Sequence, residues 1–215
     1  MEKLLTLAEV LEKNGMTAYV AENKAEALET VKGILKEGAT VACGGSVTLS
    51  ECGIWDLLKS GSYVFLDRLE EGISAEESER RMREVFFADF YLASSNAVTL
   101  GGELYNVDGK GNRVSAMMFG PKKVILVIGK NKIVDNIDAA IERVKTIAAP
   151  KNCLRLGIDN YCAKKGHCVS LDEGSSSPFS GCNSPSRICC EHTIIGKQRE
   201  KGRISVILVN EDLGY

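Results

Sequence analysis

The stretch DFYLASSNAVTLGGELYNVDGKGNRVSAMMFGPKKVILVIGKNK, residues 89–132, begins and ends in the apolar runs around which the chain is organised. FYLA (90–93) and KVILVIG (123–129) have the composition of strands. A third run, ISVILVN (204–210), is continuously apolar rather than alternating, which is typical of a strand covered on both faces of a parallel sheet. These runs predict a deeply buried sheet as the centre of the fold.

Apolar runs and amphipathic segments alternate along the rest of the chain. Shorter apolar runs predict further strands at 17–22, 40–43 and 63–67. Apolar residues at helical spacing predict helices in the segments 1–15, 24–36, 48–58, 75–87, 113–119 and 135–149. Alternating strands and helices favour an α/β fold of three layers, with helices on both faces of a mostly parallel sheet. We predict one domain, residues 1–215, in which 204–210 returns to the sheet.

Local signals predict where several of these helices begin or end. Thr48 and Glu51 fit a capping box, in which a hydroxyl and a carboxylate satisfy each other's backbone amides. Asn112 is placed to cap the following helix, and Asp135 to cap the last predicted helix. Pro150 is expected to end that helix, because proline has no backbone N–H.

Charge and composition exclude several classes of function. The 215 residues include 27 lysines and arginines against 29 aspartates and glutamates, so no basic field favours nucleic acid. No apolar run approaches the roughly 20 residues that span a bilayer. The amphipathic start, residues 1–15, lacks the basic segment and cleavage site of a signal peptide. We therefore expect a cytoplasmic protein without nucleic-acid or membrane partners.

The segment Asn106–Arg113 is the first candidate binding loop. Asp108-Gly109 is a tight-turn signal, and Gly109 and Gly111 allow positive φ and the close approach of a ligand to the backbone. Exposed amides at the start of a helix, beside Arg113, are suited to an anion. The alternative is an ordinary turn before a capped helix, with Arg113 as a surface residue.

A second candidate loop, Gly44-Gly45-Ser46, follows a predicted strand and opens a helix. Its bare amides are also suited to an anion. The loop matches neither the GxxxxGK[ST] pattern nor GxGxxG, so ATP and dinucleotide binding are not supported. Because ligands bind at the carboxyl ends of parallel strands, we predict that both loops face one cleft that holds a small acidic metabolite.

Five of the eight cysteines crowd into one segment near the C-terminus, with the spacing C-x5-C-x13-C-x6-C-C. In a reducing cytosol such a crowd indicates a metal before disulfides. Four thiolates would complete a zinc site or hold an iron–sulfur cluster, and Cys190 or His192 could replace one ligand. The alternative is reduced thiols packed into a small Cys-rich C-terminal lobe, residues 153–200. The four candidate ligands are Cys162, Cys168, Cys182 and Cys189.

Several segments resemble, in the same order, the LUD domain family of lactate-utilisation proteins. These segments are GGSVTLSECGIWDLL (44–58), SSNAVT (94–99), LYNVDGKGNRVSAMMFGPKKVILVIGKNKIV (104–134) and ILVNEDLGY (207–215). The cysteine segments CAKKGHC (162–168) and SPSRICC (184–190) are similar to a tail found in the family, with an extra serine-rich loop between them.

The resemblance implies a fold similar to ribose-phosphate isomerases, glucosamine-phosphate deaminases and CoA-transferases, with its pocket at the strand ends. It also implies a link to oxidation of lactate to pyruvate alongside iron–sulfur partner proteins. The family's motif positions fall on Gly44, Gly45, Ser46, Thr48, Glu51, Asn96, Thr99, Asn106, Asp108, Gly111, Asn112 and Arg113. The chain departs from the family pattern after Thr99, where Leu100-Gly101-Gly102 precedes the acidic residue Glu103.

Glu51 and Asp108 are the candidate catalytic residues. Glu51 has the chemistry of an acid, a base or a nucleophile, since CoA-transferase-like enzymes attack acyl thioesters with a glutamate. The capping box accounts for Glu51 without chemistry, and the turn at Asp108-Gly109 does the same for Asp108. Both histidines, His167 and His192, lie near the cysteine segment, so a Ser–His or Cys–His arrangement in the cleft is not expected.

Three functional hypotheses follow. The first is a protein that binds a small anionic metabolite and supports oxidation of lactate or a related 2-hydroxy acid to the 2-oxo acid. The second is a non-enzymatic subunit that docks an iron–sulfur partner through its cysteines. The third is CoA-transferase-like acyl transfer through Glu51. Related folds often pair, so a homodimer is also expected.

Overall fold

The computed structural model describes every residue, Met1–Tyr215. Its strands, in chain order, are β1 (Thr17–Ala21), β2 (Thr40–Cys43), β3 (Val64–Phe65), β4 (Phe90–Ala93), β5 (Ala97–Thr99), β6 (Leu104–Asp108), β7 (Lys123–Gly129), β8 (Ile133–Val134), β9 (Glu191–Ile195) and β10 (Ile204–Val209). Its α-helices are α1 (Glu2–Lys13), α2 (Lys24–Ile34), α3 (Val47–Glu51), α4 (Ile54–Leu58), α5 (Ala75–Glu84), α6 (Asn112–Met118), α7 (Ile137–Arg143), α8 (Ala149–Arg155), α9 (Tyr161–Lys165) and α10 (Val169–Asp172). The remaining helical segments are 3-10 turns at Val85–Phe87 and Lys130–Lys132 and a π-helix at Val144–Ala148.

The residues group into two compact units, and each is described by itself. The first unit contains Met1–Ser94, Ser115–Asn131 and Lys197–Gly214. The second contains Ser95–Val114, Lys132–Gly196 and Tyr215. The segment predicted as a Cys-rich lobe is not set apart in the structure, because as far as Gly196 it belongs to the second unit.

The first unit is built on a six-stranded sheet with the order β1-β10-β7-β4-β2-β3, and every neighbouring pair is parallel. Strand β10 lies between β1 and β7, as expected for the continuously apolar run at 204–210. All six of its residues are buried. The mostly parallel α/β sheet predicted from the sequence is therefore confirmed.

Alternate residues of the central strands are buried on opposite faces of this sheet. One face, which includes Ile125 and Val127 of β7, packs with α2, α3 and α4. Val124 and Leu126 point to the other face and are also fully buried. Burial on both faces explains why the strands are uniformly apolar rather than alternating.

The start of α3 differs from the predicted capping box. Ser46, not Thr48, is the N-cap, and its Oγ accepts a hydrogen bond from Leu49 N at 3.4 Å. Thr48 is the second residue of the helix, too late to cap it, and is buried, and Glu51 is the last residue of the helix. The sequence pattern placed the cap two residues late, because serine and threonine both occur at the end of the glycine bend.

The second unit contains a sheet that the sequence did not predict. Its order is β8-β5-β6-β9, with β5 antiparallel to β6, β6 antiparallel to β9, and β5 parallel to β8. Strand β9 comes directly after the cysteine segment and pairs with β6 along its whole length. These strands are short, so the alternation of apolar and polar residues within each one is a weak signal. Strand β9 is identified only by its pairing with β6.

The long helical run of the second unit also differs from the prediction. Asn136, not Asp135, caps α7, and its Oδ1 accepts from Ala139 N at 3.0 Å. Pro150 does not end the run, because it lies in the first turn of α8, directly after the π-helix Val144–Ala148. A proline is tolerated in a first turn, where its missing N–H has no partner to lose.

None of the helices combines the length and the apolar character that a membrane span requires.

Candidate functional site

The bend Gly44–Ser46 lies at the carboxyl end of β2 in the first unit. Gly44 N donates to Leu92 O at 2.9 Å, which extends the pairing of β2 and β4. Beyond it, the amides of Gly45 and Ser46 make no hydrogen bond within the chain, and Gly45 is exposed. Two adjacent bare amides at the carboxyl edge of a parallel sheet are a suitable contact for an anion.

Glu51 is exposed and is hydrogen-bonded to the C-terminal segment of the first unit. Its Oε2 accepts from Gly214 N at 2.7 Å, and Thr48 Oγ1 donates to Leu213 O at 3.3 Å. Asn131 completes the attachment, since its Oδ1 accepts from Leu213 N at 3.1 Å and its Nδ2 donates to Gly214 O at 3.2 Å. Glu51 and Thr48 thus hold residues 213–214 beside α3, and Glu51 keeps its solvent exposure.

Arg113 is engaged within its own unit rather than presented to solvent. Its Nη1 donates to Asn106 Oδ1 at 2.5 Å, and its Nη2 donates to Asn96 Oδ1 at 2.9 Å. The same Nη2 lies 2.7 Å from Asp108 Oδ1, in an ion pair whose side chains are 14% and 8% exposed. These contacts join four of the predicted site residues into one network and give Arg113 a clear role in holding the loop.

Asp108 caps helix α6. Its Oδ2 accepts from the backbone amides of Arg113 and Val114, each at 2.9 Å, so Asp108 takes the role predicted for Asn112. Gly111 has φ +73°, a conformation that glycine adopts without strain, and it turns the chain between Asp108 and the helix. Because both oxygens of Asp108 are engaged, these contacts account for the residue without chemistry, and its catalytic role stays a prediction.

The network reaches two residues that sequence reasoning missed, Ser95 and Arg143. Asn106 is fully buried, and its Nδ2 donates to Ser95 Oγ at 3.0 Å. Arg143 Nη1 donates to the backbone carbonyl of Asn96 at 2.6 Å. Burial lowers the pKa of Arg143 to about 10. Ser95 could have been found because it adjoins Asn96 in the motif, whereas Arg143 sits in an amphipathic helix and carries no such signal.

Thr99 lies outside the Arg113 network, at the hairpin that joins β5 and β6. Its Oγ1 is hydrogen-bonded to the carboxylate of Glu103 and accepts from Glu103 N at 3.1 Å. A Cβ added at Gly101 would lie 2.6 Å from that carboxylate. Glu103, the acidic residue that follows Leu100-Gly101-Gly102, is therefore hydrogen-bonded to Thr99.

The predicted site residues fall into two groups. Gly44, Gly45, Ser46, Thr48 and Glu51 belong to the first unit, and Asn96, Thr99, Asn106, Asp108, Gly111, Asn112 and Arg113 belong to the second. Within each unit most members are close together, as described above. The prediction that the two loops face one cleft involves both units and stays a prediction.

The four candidate metal ligands line one small cavity in the second unit, with a volume of about 30 Å³. The other polar groups in its wall include Tyr105, Lys145 and His192. No aspartate or glutamate lines it. No three histidine, cysteine, aspartate or glutamate side chains converge closely enough to hold a single metal ion. The fold thus brings the four thiols around a common space without bringing them to one point.

The wall of the cavity is held by hydrogen bonds. Lys145 is buried, and its Nζ donates to Ser170 Oγ at 2.7 Å and to Ser177 O at 2.6 Å. Tyr105 Oη and His192 Nδ1 are 2.7 Å apart, and His192 Nε2 is buried without a hydrogen-bond partner. Burial lowers the pKa of His192, and the backbone of Cys189 acts in the opposite direction.

Burial also changes the acidity of the thiols. It raises the pKa of Cys162 to about 12, with smaller effects from Cys153, Cys182 and Cys189. It raises the pKa of Cys189 too, while a hydrogen bond and the charge of Arg187 lower it. Burial thus favours the protonated form of the Cys162 and Cys189 thiols.

Comparison with solved structures finds a similar fold over nearly the whole chain. A crystal structure of a DUF162 family protein from Deinococcus radiodurans matches with a TM-score of 0.53 and 15% identity, covering 97% of this chain and 96% of that one. At this identity the likeness shows the fold alone. Ribose 5-phosphate isomerase A from Neisseria gonorrhoeae matches at 17% identity over 53% of this chain and 54% of that one, and its TM-score of 0.34 is too low to support an argument.

No curated protein matches the chain. The model of the LUD domain matches residues 4–209, which include the glycine bend, the Arg113 network and the cysteine segment. The resemblance predicted from the sequence motifs is confirmed by this match. The chain belongs to the LUD domain family.

Proposed function

We propose that this chain binds a small anionic metabolite at the bend Gly44–Ser46 and supports oxidation of lactate or a related 2-hydroxy acid. The observation that carries the proposal is the pair of bare amides at Gly45 and Ser46, at the carboxyl end of a buried parallel strand. A carboxylate accepts two N–H groups in such a bend, and hydrogen bonds to a charged acceptor are the strong ones. Membership of the LUD domain family supports the choice of substrate class.

The proposed reaction converts the hydroxyl-bearing carbon to a carbonyl and releases two electrons and two protons. Glu51 is the proposed acid–base group, since it is exposed and belongs to the helix that the bend opens. An iron–sulfur partner protein is the proposed acceptor of the electrons. We place this reaction in the cytoplasm, where the eight free cysteines stay reduced.

In the second unit, Asn112 and Arg113 stay proposed ligand contacts, together with the motif residues around them. The contacts of Arg113 with Asn96, Asn106 and Asp108 support a role in holding this loop in shape. Replacing Arg113 would therefore change the conformation of this loop as well as any direct contact with the ligand. The glycine bend offers the cleaner test, because its proposed contacts are backbone amides.

The test compares Gly45→Pro, which removes one bare amide, with Gly45→Ala, which keeps it. Gly45 does not have positive φ, so alanine is compatible with its backbone. Titration calorimetry with lactate should detect binding to the wild type and to Gly45→Ala. In Gly45→Pro the affinity should fall roughly tenfold or more, since a hydrogen bond to a charged group contributes about 1.5–3 kcal/mol. Equal binding by all three proteins, or no binding of any 2-hydroxy acid by the wild type, would contradict the proposal.

Acyl transfer through Glu51 is a second candidate, favoured by the exposure of this carboxylate. Its one hydrogen bond, from Gly214 N, occupies Oε2. In a CoA-transferase-like reaction the Glu51 carboxylate attacks an acyl-CoA and displaces the CoA thiolate, which forms a mixed anhydride. The thiolate then attacks the glutamyl carbonyl, so the acyl group leaves as a free carboxylate and a glutamyl thioester remains on Glu51. Hydroxylamine should trap this intermediate on Glu51, as seen by mass spectrometry of the wild type and not of Glu51→Gln. Absence of the adduct in the wild type would remove the candidate.

A further inference from the structure

Strand β1 is an edge of the six-stranded sheet and is paired on one side only, with β10. In such a strand the backbone N–H and C=O groups of successive residues point to opposite sides. Ala21 O accepts from Asn210 N at 2.9 Å, so every second residue of β1, counted back from Ala21, directs its backbone groups to β10. The backbone groups of Ala18 and Val20 therefore point away from the sheet.

These outward groups have no hydrogen-bond partner within the chain. Neither the N–H nor the C=O of Ala18 and Val20 is bonded, and both residues are partly exposed. The next outward amides along the strand are already occupied. Met16 N donates to a carbonyl of α1 at 3.1 Å, and Glu22 N donates to the carboxylate of Glu26 at 2.7 Å. The free edge thus consists of the amides and carbonyls of two residues.

The composition of β1 does not protect this edge. Natural edge strands are usually shielded by charged residues, by proline, by a bulge or by being very short. At the opposite edge of the same sheet, β3 has only two residues. Strand β1 has five, TAYVA, and none of them is charged or a proline. An unprotected edge of this length is suited to pairing with another strand.

We propose that β1 pairs with β1 of a second copy of this chain, antiparallel and about a two-fold axis at Tyr19. In this register Ala18 lies opposite Val20 of the second copy, and Val20 lies opposite its Ala18. Each opposed pair exchanges two hydrogen bonds, so all the bare groups of both edges are satisfied. A shifted register leaves some of them unpaired, because the neighbouring outward amides are already bonded. The two six-stranded sheets join into one.

The charges at the two ends of β1 favour a second copy as the partner. Near the amino end lie Lys13 and the segment 197–201, KQREK, which is attached through the bond from Gln198 N to Asn14 O at 2.8 Å. At the carboxyl end three carboxylates outnumber one ammonium group: Glu22, Glu26, Glu211 and Lys24. Antiparallel pairing of two copies sets the acidic end of each beside the basic end of the other, and such a contact is self-complementary.

Tyr19 adds a side-chain contact at the axis. Ala21 packs in the core with α2, so Tyr19, two residues earlier, points to the same face of the sheet. Its side chain is nevertheless 37% exposed. Residues that are opposed without direct hydrogen bonds in an antiparallel pair have Cα atoms about 4.5 Å apart and closely spaced side chains. The two tyrosines therefore contact each other, whereas like charges at this position would repel.

The first experiment measures the mass of the full chain by sedimentation equilibrium over a range of concentrations. We expect the wild type to be a dimer. Val20→Pro removes one bare amide from each copy, and an edge strand tolerates proline where its missing N–H would face solvent. The dissociation constant of the dimer should rise roughly tenfold or more, since two hydrogen bonds are lost. Val20→Ala is the matched control, because it keeps the amide, and should dimerise as the wild type does.

A second experiment exchanges charges at Tyr19 to test the position of the axis. Tyr19→Lys and Tyr19→Glu should each be monomeric, because two like charges would lie directly opposite each other in the dimer. An equimolar mixture of the two variants should form a mixed dimer, in which the opposed charges attract. Native mass spectrometry distinguishes this mixed dimer from either variant alone.

Three results would overturn the proposal. The first is a wild type that is monomeric at every concentration, which would leave the edge to an extended segment of another protein. The second is unchanged dimerisation of folded Val20→Pro, and the third is a mixture of the Tyr19 variants that stays monomeric. Circular dichroism establishes that each variant is folded, and the Tyr19 variants decide the matter if Val20→Pro does not fold. The proposed function does not depend on this pairing, because lactate binding at the glycine bend is measured separately.

Discussion

Replacement of Arg113 by alanine should destabilise the protein strongly, because the guanidinium is the centre of a buried polar network. It contacts Asn106, Asn96 and Asp108 at 2.5, 2.9 and 2.7 Å. The ion pair with Asp108 is largely buried, with side-chain exposures of 14% and 8%. Removing one partner of a buried pair leaves the other charge uncompensated, which costs about 3–5 kcal/mol. We expect a loss of about 3 kcal/mol, since Asp108 keeps its two backbone donors.

Arg83 is the matched control for this measurement. It also forms an ion pair at 2.7 Å, with Glu79, but the side chains are 78% and 61% exposed. Exposed pairs contribute about 0–1 kcal/mol, so Arg83→Ala should change the free energy of unfolding little. Urea unfolding followed by circular dichroism measures both variants. If Arg113→Ala costs no more than Arg83→Ala, the network does not hold the loop and the reasoning is refuted.

Two further predictions concern the backbone and acid stability. Gly111→Ala should lower the free energy of unfolding by about 1 kcal/mol, because alanine is strained at φ +73°. Gly33 lies in α2, and a Cβ added there would have no atom within 4 Å. Gly33→Ala should therefore raise the free energy of unfolding by about 0.5–1 kcal/mol. Thermal unfolding measures both variants, and shifts of the same sign would contradict the two predictions. The pKa of Asp89 is lowered by a hydrogen bond from Lys122 and then by the amide of Thr40. Its contribution to stability is therefore complete above the ordinary pKa of 3.8 and is lost as the pH falls through the lowered value, so Asp89→Asn should flatten the acid limb of a stability–pH curve.

The apolar runs of the sequence were enough to predict the main sheet. Strands β4, β7 and β10 are found where FYLA, KVILVIG and ISVILVN predicted them. These residues are buried on both faces, so their own composition carries the signal. The family was also predictable, because its motif segments are continuous stretches of sequence. The run at 63–67 gave a weaker signal, and only Val64–Phe65 form a strand at the edge of the sheet.

Tertiary structure alone decided how the motif residues are used. Arg113 finds its partners on or beside strands β5 and β6, which reach it only after the chain has reversed. The choice of Asp108 over Asn112 as the cap of α6 depends on Gly111, whose positive φ directs the turn. The second sheet was missed because its short strands are stabilised by cross-strand partners rather than by their own pattern.

The cysteine segment shows both contributions. The crowding of five cysteines is visible in the sequence, and it led to the prediction that four of them are metal ligands, because soft metals and clusters need several sulfur ligands. Their arrangement around a single cavity depends on α9, α10 and the pairing of β9 with β6, which no local pattern encodes. Residue chemistry is thus determined by the sequence alone. The distances between distant residues come from packing, because burial of the whole unit sets where each chain segment lies.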